Sequence, residues 1–275
     1  MSDPVAANRM PTLFIPHGGG PCFFMDWTMM GGPADTWDDT AAWLKSIPAS
    51  LPEKPKALLV VSAHWEESEF TVSTAAAPDM IFDYYGFPQH TYELSYPAPG
   101  APELAKRVQE LMTSHGLPAP HAAERGYDHG VFVPLLVAFP DADIPILTLS
   151  LTGDLSPEKH LQLGKALSGL RDEGVLIIGS GMSYHNMRAF RTPAATAPSA
   201  EFDTWLTEAL TGDDRERRWA QLSNWLDAPQ ARNSHPREEH LLPLMVAAGA
   251  AEGDIGEKVF SDNVMNATVS AFRFG

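Results

Sequence analysis

Apolar residues in this chain fall into short unbroken runs, separated by longer segments of mixed polarity. Leu13-Phe14-Ile15 after Thr12, Ala57-Leu58-Leu59-Val60-Val61 and Val175-Leu176-Ile177-Ile178 have no polar interruption. Runs of this length read as strands covered on both faces. Phe70-Thr71-Val72 and residues 144–149 and 267–274 predict three more strands. Between them the spacing of apolar positions changes to that of helices. Residues 33–47 place Trp37, Ala41, Trp43 and Leu44 on one side, and residues 102–115 are amphipathic and stop at Gly116. Residues 131–139, 157–171 and about 199–226 predict further helices, and 235–250 contains another. Residues 78–99, rich in aromatics, proline and glycine, read as a long ordered loop. Strands alternating with helices predict an α/β fold, in which residues 1–275 form a single domain with a central mixed, largely parallel sheet flanked by helices.

In open sheets of this kind, ligands collect outside the carboxyl ends of the strands. His17 follows the first predicted strand, His64 the second, and His185 the run from Val175. That shared address makes the histidines the leading candidates for chemistry. The chain has ten of them and one cysteine, Cys22, so a cysteine-rich zinc site and an internal disulfide are both excluded.

His17 stands before three consecutive glycines, Gly18-Gly19-Gly20, a turn that lets backbone approach a ligand closely. The run lacks the spacings of the phosphate-binding glycine motifs, so the choice is between a metal ligand and an incidental histidine in a tight turn. His64, alone, would read as a buried histidine bonded to backbone; paired with His17 it reads as a ligand. Near the other end, His235, Glu239 and His240 compete for a third place. Pro236 fits a first helical position, and Pro243 predicts a kink or an early break. Two histidines and a carboxylate would suit oxygen-activating iron(II), whereas three histidines suit catalytic zinc. Residue chemistry leaves both open.

His185, after Gly179-Ser180-Gly181, is the candidate acid–base group, because imidazole titrates near neutral pH. His129 reads as a group that polarises substrate, with Asp128 beside it to fix its tautomer. His115 and His121 flank a helix end and are expected to face solvent, His160 lies on a helical face, and His90 belongs to the aromatic loop. Phe82, Tyr84, Tyr85 and Phe87 either line a pocket or pack that loop. Ser180 does not sit in a nucleophile elbow, which argues against a serine hydrolase.

The charge balance narrows the partners. Lys and Arg number 19 against 35 Asp and Glu, a formal net charge of −16, which disfavours nucleic acid and anionic membrane. An acidic substrate would need local positive charge from Arg125, Arg188, Arg191 or a metal. The polar stretch at residues 1–10 does not read as a signal peptide, and no apolar run reaches membrane-spanning length, so the expected location is cytoplasmic. A homo-oligomer is compatible with all of this.

Taken in order, several segments resemble the class III extradiol ring-cleavage dioxygenases, and in particular the branch similar to the 4,5-DOPA extradiol dioxygenases. They are Phe14-Ile15-Pro16-His17-Gly18, Val60-Val61-Ser62-Ala63-His64-Trp65, Asp83-Tyr84-Tyr85-Gly86-Phe87-Pro88, Tyr96-Pro97-Ala98-Pro99-Gly100, Asp128-His129-Gly130, the run from Pro140 to Pro145, the run from Ser180 to Asn186, and Glu239-His240-Leu241-Leu242-Pro243-Leu244. The resemblance implies a metal held by His17, His64 and His240, with Glu239 the alternative third ligand. It implies His185 as the acid–base histidine and His129 in contact with substrate or oxygen. The metal so implied is non-haem Fe(II), with zinc also carried by this branch on isolation. The substrates would be a small aromatic diol and O2, and the product a muconic semialdehyde formed by cleavage beside the diol. Gly18-Gly19-Gly20-Pro21 departs from the Gly-Ser-Pro turn of the DOPA branch, which bears on the identity of the substrate. A zinc hydrolase using the same histidines is the rival reading. A non-catalytic binding module is disfavoured, because all four key histidines are present.

Overall fold

The computed structural model describes residues 9–275, and most of the polar N-terminal stretch lies outside them, at residues 1–8. In chain order the elements are β1 (Thr12–Pro16), α1 (Asp38–Ser50), β2 (Ala57–Glu67), β3 (Val72–Ser73), α2 (Pro102–Ser114), β4 (His121–Ala122), α3 (His129–Ala138) and β5 (Ile146–Thr152). There follow α4 (Pro157–Leu167), β6 (Val175–Gly181), α5 (Thr196–Thr211), α6 (Arg215–Ser223), α7 (Ala231–Ser234), α8 (Leu242–Ala250), β7 (Gly256–Val264) and β8 (Ala267–Phe274).

The unbroken apolar runs are explained by two cores. Leu13, Ile15, Leu58, Val60, Leu176 and Ile178 pack with α1 and α3 on one face of the sheet. Their neighbours Phe14, Leu59, Val61, Val175 and Ile177 pack with α2, α4, α5 and α8 on the other. Alternate side chains of a strand point to opposite faces, so a strand covered twice must be apolar at every position. The strand order is β4-β3-β5-β2-β6-β1-β8-β7. β5, β2, β6 and β1 run parallel, while β8 and β3 pair antiparallel to this centre. The predicted mixed, largely parallel sheet is therefore present.

Differences lie at edges and breaks. The helix expected from residue 33 starts at Asp38, with Asp38 and Asp39 in its first turn, where the helix dipole favours acids. The long helix expected over 199–226 divides into α5 and α6 after Gly212, where Asp214 caps α6 through the Arg217 N–H. β7 was not predicted. It is an edge strand with Glu257, Lys258 and Asp262 along it, and so lacks an apolar signature. Met265 and Asn266, both at positive φ, turn it directly into β8. Among the described residues no helix is long and apolar enough to cross a membrane.

Candidate metal centre

The carboxyl ends of the parallel strands converge on one place. β1 delivers His17, whose N–H donates to the Gly181 carbonyl at 3.1 Å. The chain then turns sharply at Gly18, where φ is +82° and a Cβ would lie 2.1 Å from Cys22 Sγ. β2 does not end at Val61 as expected. It continues to Glu67 with a shift of register against β5 between Val61 and Glu66, and His64 lies on that irregular stretch.

Gly179-Ser180-Gly181 also belongs to a strand rather than to a turn. A Cβ on Gly179 or Gly181 would lie 2.2 Å from the Pro243 and His240 carbonyls respectively, so the segment entering α8 rests directly on β6. Met182 N–H then holds the His240 carbonyl at 3.0 Å. His240 thus precedes α8 rather than lying in a helix opened by Pro236. Pro243 occupies the first turn of α8, where its missing N–H costs nothing, and no kink results.

His17, His64 and His240 each offer a ring nitrogen within 4.8 Å of the other two. The Nε2 atoms of His17 and His64 are 3.1 Å apart. With metal–nitrogen bonds of about 2.1 Å, neighbouring ligands of one ion lie roughly 3.0–3.4 Å apart, so this pair suits a shared metal. The hydrogen bonds behind the rings give the same result. Ser180 donates its hydroxyl proton to the Gly130 carbonyl, so its oxygen accepts from His17 Nδ1 at 3.2 Å. Glu239 Oε1 accepts from His240 Nδ1 at 3.0 Å. These assignments leave both Nε2 atoms as bare lone pairs, the usual arrangement behind metal-binding histidines. Burial, and then the neighbouring imidazoles, hold His17 and His240 well below the ordinary histidine range. Burial foremost pushes His64 down to about 3. Three neutral imidazoles facing one point are a donor set that fits iron(II) or zinc.

His129 opens α3. Its tautomer is fixed by Asp83 rather than by Asp128: one Asp83 oxygen accepts from the ring Nδ1 at 2.8 Å and from the backbone N–H at 3.0 Å. Asp128 faces away, toward Arg125 at 2.6 Å and Ser62 at 2.7 Å. Burial works against the Asp83 carboxylate, but the bonds from His129 outweigh it and hold its pKa below the usual range. Its second oxygen is 3.7 Å from His64 Nδ1.

His185 stacks on His240 with ring centroids 3.3 Å apart, and its Nδ1 is 3.5 Å from Glu239 Oε1. Glu239 therefore stands behind both rings. His235 is not brought to the cluster. It is buried near Phe202 and Trp225, its Nε2–H donates to the Ser183 carbonyl at 3.0 Å, and burial foremost pushes its pKa down to about 3. His115 and His121 are exposed as expected, and His90 is exposed against the Phe24 carbonyl. His160 is fully buried.

His64, His129, His185 and His240 line a cavity of about 530 Å³, together with the glycine turn and Trp37. From the aromatic loop, Tyr84, Tyr85 and Phe87 join the wall, whereas Phe82 packs against Phe132 at 5.7 Å. Sequence reasoning missed the supporting roles of Ser180 and Asp83. The small residues flanking Ser180 were the available signal for it.

Imidazoles gathered at the carboxyl side of the sheet, facing an aromatic cavity, define an α/β protein with a site suited to a metal. Residues 11–274 match the family described as the catalytic LigB subunit of aromatic ring-opening dioxygenase, and the chain belongs to that family. The 4,5-DOPA dioxygenase extradiol of Beta vulgaris is 44% identical, over 89% of this chain and 88% of that protein. Its namesake from Escherichia coli K12 is 34% identical, over 90% and 88%. The dioxygenase tasH of Hapsidospora irregularis is 34% identical, over 98% and 88%. A crystal structure of the uncharacterized protein JW3007 from Escherichia coli K12 superimposes with a TM-score of 0.73 at 30% identity, covering 97% of this chain and all of that one.

Proposed function

We propose that the protein opens the ring of a catechol-type diol beside its two hydroxyls, using O2, to give a muconic semialdehyde-type product. The observation that carries this is the trio of His17, His64 and His240, mutually within 4.8 Å, beside a cavity that His129 and His185 also line. The three Nε2 atoms would hold iron(II), which when bound supplies Lewis acidity toward the diol oxygens and electrons for oxygen activation.

The chain's own residues do the rest. His185, with Nδ1 turned to Glu239, keeps Nε2 to take a hydroxyl proton from the diol and return it later. His129, whose Nδ1–H is committed to Asp83, presents Nε2 as an acceptor toward the substrate. Trp37, Tyr84 and Phe87 flank the ring and exclude water.

The test is oxygen uptake by protein loaded anaerobically with iron(II), against a panel of catechols, following the yellow ring-opened product. Uptake matched one to one by product supports the reading. Bound iron with no uptake from any catechol would overturn it and favour the zinc hydrolase, for which ester and amide substrates with zinc come next.

A further inference from the structure

Ring cleavage accounts for only part of the cavity wall. Trp27, Met182, Phe190 and Met265 make much of the remainder, and the same wall includes Tyr85 and Met187, which are 91% and 67% exposed. A volume of about 530 Å³ lies in the range that houses drug-sized ligands, so a bare diol ring would leave space beside it.

The charge on this wall is one-sided. Arg191 lines it, and among the described lining residues there is no aspartate or glutamate. Of the three arginines considered from sequence, Arg125 is committed to Asp128 at 2.6 Å and stacks over Trp65, and Arg188 is not part of the wall. The nearby carboxylates, Asp83 and Glu239, are engaged by His129 and His240.

Arg191 is anchored rather than loose. Its guanidinium donates to the Met30 carbonyl, at the end of the turn Trp27–Met30, and its backbone N–H donates to the Met265 carbonyl at 2.9 Å. Its φ is +69°, a region that non-glycine residues rarely adopt and that persists where the surroundings enforce it. One bond to Met30 leaves further N–H donors of the guanidinium fork for a planar anion.

Resting on the ring-cleavage reading, we infer that the cavity selects a catechol whose ring carries an apolar arm ending in a carboxylate, without an ammonium group, and that Arg191 is the selecting residue. This departs from what the names of the relatives suggest. DOPA carries an ammonium beside its carboxylate, and on this wall that ammonium would meet a guanidinium and no counter-charge.

Four catechols separate the possibilities: methylcatechol (neutral), dihydrocaffeate (anionic), DOPA (zwitterionic) and dopamine (cationic). Binding is measured by anaerobic calorimetry on zinc-loaded protein, and turnover by oxygen uptake on iron-loaded protein. Dihydrocaffeate should bind tightest, DOPA roughly tenfold more weakly and dopamine weakest. Arg191→Met should shrink the preference for dihydrocaffeate over methylcatechol about tenfold, in both Kd and KM, and Arg191→Lys should restore part of it. DOPA bound as tightly as dihydrocaffeate, or an unchanged preference in Arg191→Met, would overturn the inference. A preference that holds in calorimetry while no catechol is turned over would uphold the selecting wall and sink ring cleavage instead.

Discussion

Replacing Ser180 with alanine tests whether the hydroxyl behind His17 sets up the metal-binding nitrogen. Ser180 is fully buried in β6, with one bond to the Gly130 carbonyl and one from His17 Nδ1 at 3.2 Å. The variant leaves that carbonyl and the Nδ1–H without partners, and an unsatisfied buried polar group costs about 1–3 kcal/mol. If relaxation recovers part of the loss, a net destabilisation of about 2 kcal/mol should lower Tm by roughly 3–4 °C in a chain of 275 residues. His17 also loses the partner that keeps its proton on Nδ1, so metal affinity should fall about 10–100-fold. Competition with a chromophoric chelator reads the affinity, and a melt of metal-free protein separately reads the stability. Wild-type metal affinity in a destabilised variant would show that Ser180 only packs the strand. Wild-type values in both assays would refute the hydrogen-bond chain altogether.

Four further outcomes follow from the same contacts. His185→Phe should keep the stack on His240 and the metal content while lowering kcat about 10²–10⁴-fold; loss of metal would make His185 a ligand. Asp83→Ala should release the tautomer of His129 and lower kcat by at least about tenfold at full metal occupancy, and an unchanged kcat would remove Asp83 from the site. Glu239→Ala should weaken metal binding about 10–100-fold while Glu239→Gln, which still accepts from His240 but carries no charge, should weaken it less; equal losses would instead point to direct ligation by the carboxylate. His160 is neutral by burial foremost, its pKa pushed from 6.5 down to about 4, with Nδ1–H donating to the Ser156 carbonyl at 2.7 Å. The unfolded chain takes up a proton there that the folded chain refuses, so stability present above pH 6.5 is lost as the pH falls toward 4, by roughly 3 kcal/mol in total. Urea midpoints across that window should fall less steeply in His160→Gln, and parallel curves would exclude the effect.

How much could be read beforehand follows from where the information resides. The central strands were legible because covering both faces demands apolar residues at every position, as at Leu58 to Val61. β7 was not legible, because an edge strand with charged positions resembles a loop until its partner is known. His17, His64 and His185 are candidates from sequence because each follows a predicted strand, which is a property of one segment at a time. Ser180 and Asp83 act across the fold, on histidines 163 and 46 residues away, and no local pattern records those contacts. Sequence adjacency points to Asp128 as the partner of His129. Adjacency there places Asp128 before the helix with its carboxylate toward Arg125, while a residue from the aromatic loop reaches the ring.

Glu239 and His240 show the same limit at the centre of the site. From sequence they are neighbours competing for one ligand position; in the structure they are partners, with the carboxylate accepting from the ring that presents its other nitrogen. The division of labour has an electrostatic basis. Burial works against the Glu239 carboxylate, but the contact with His185 foremost, and then the Arg237 guanidinium 3.4 Å from Oε2 and itself paired with Glu66, hold its pKa below the usual range. A carboxylate held in that state behind an imidazole makes the imidazole a stronger donor, and the same oxygen is 3.5 Å from His185 Nδ1. One anion thus orients both the proposed third ligand and the proposed acid–base group. Moving Glu239 forward to bind a metal would deprive both histidines of that support, which is why the trio of imidazoles, with the carboxylate behind it, is the arrangement these side chains favour.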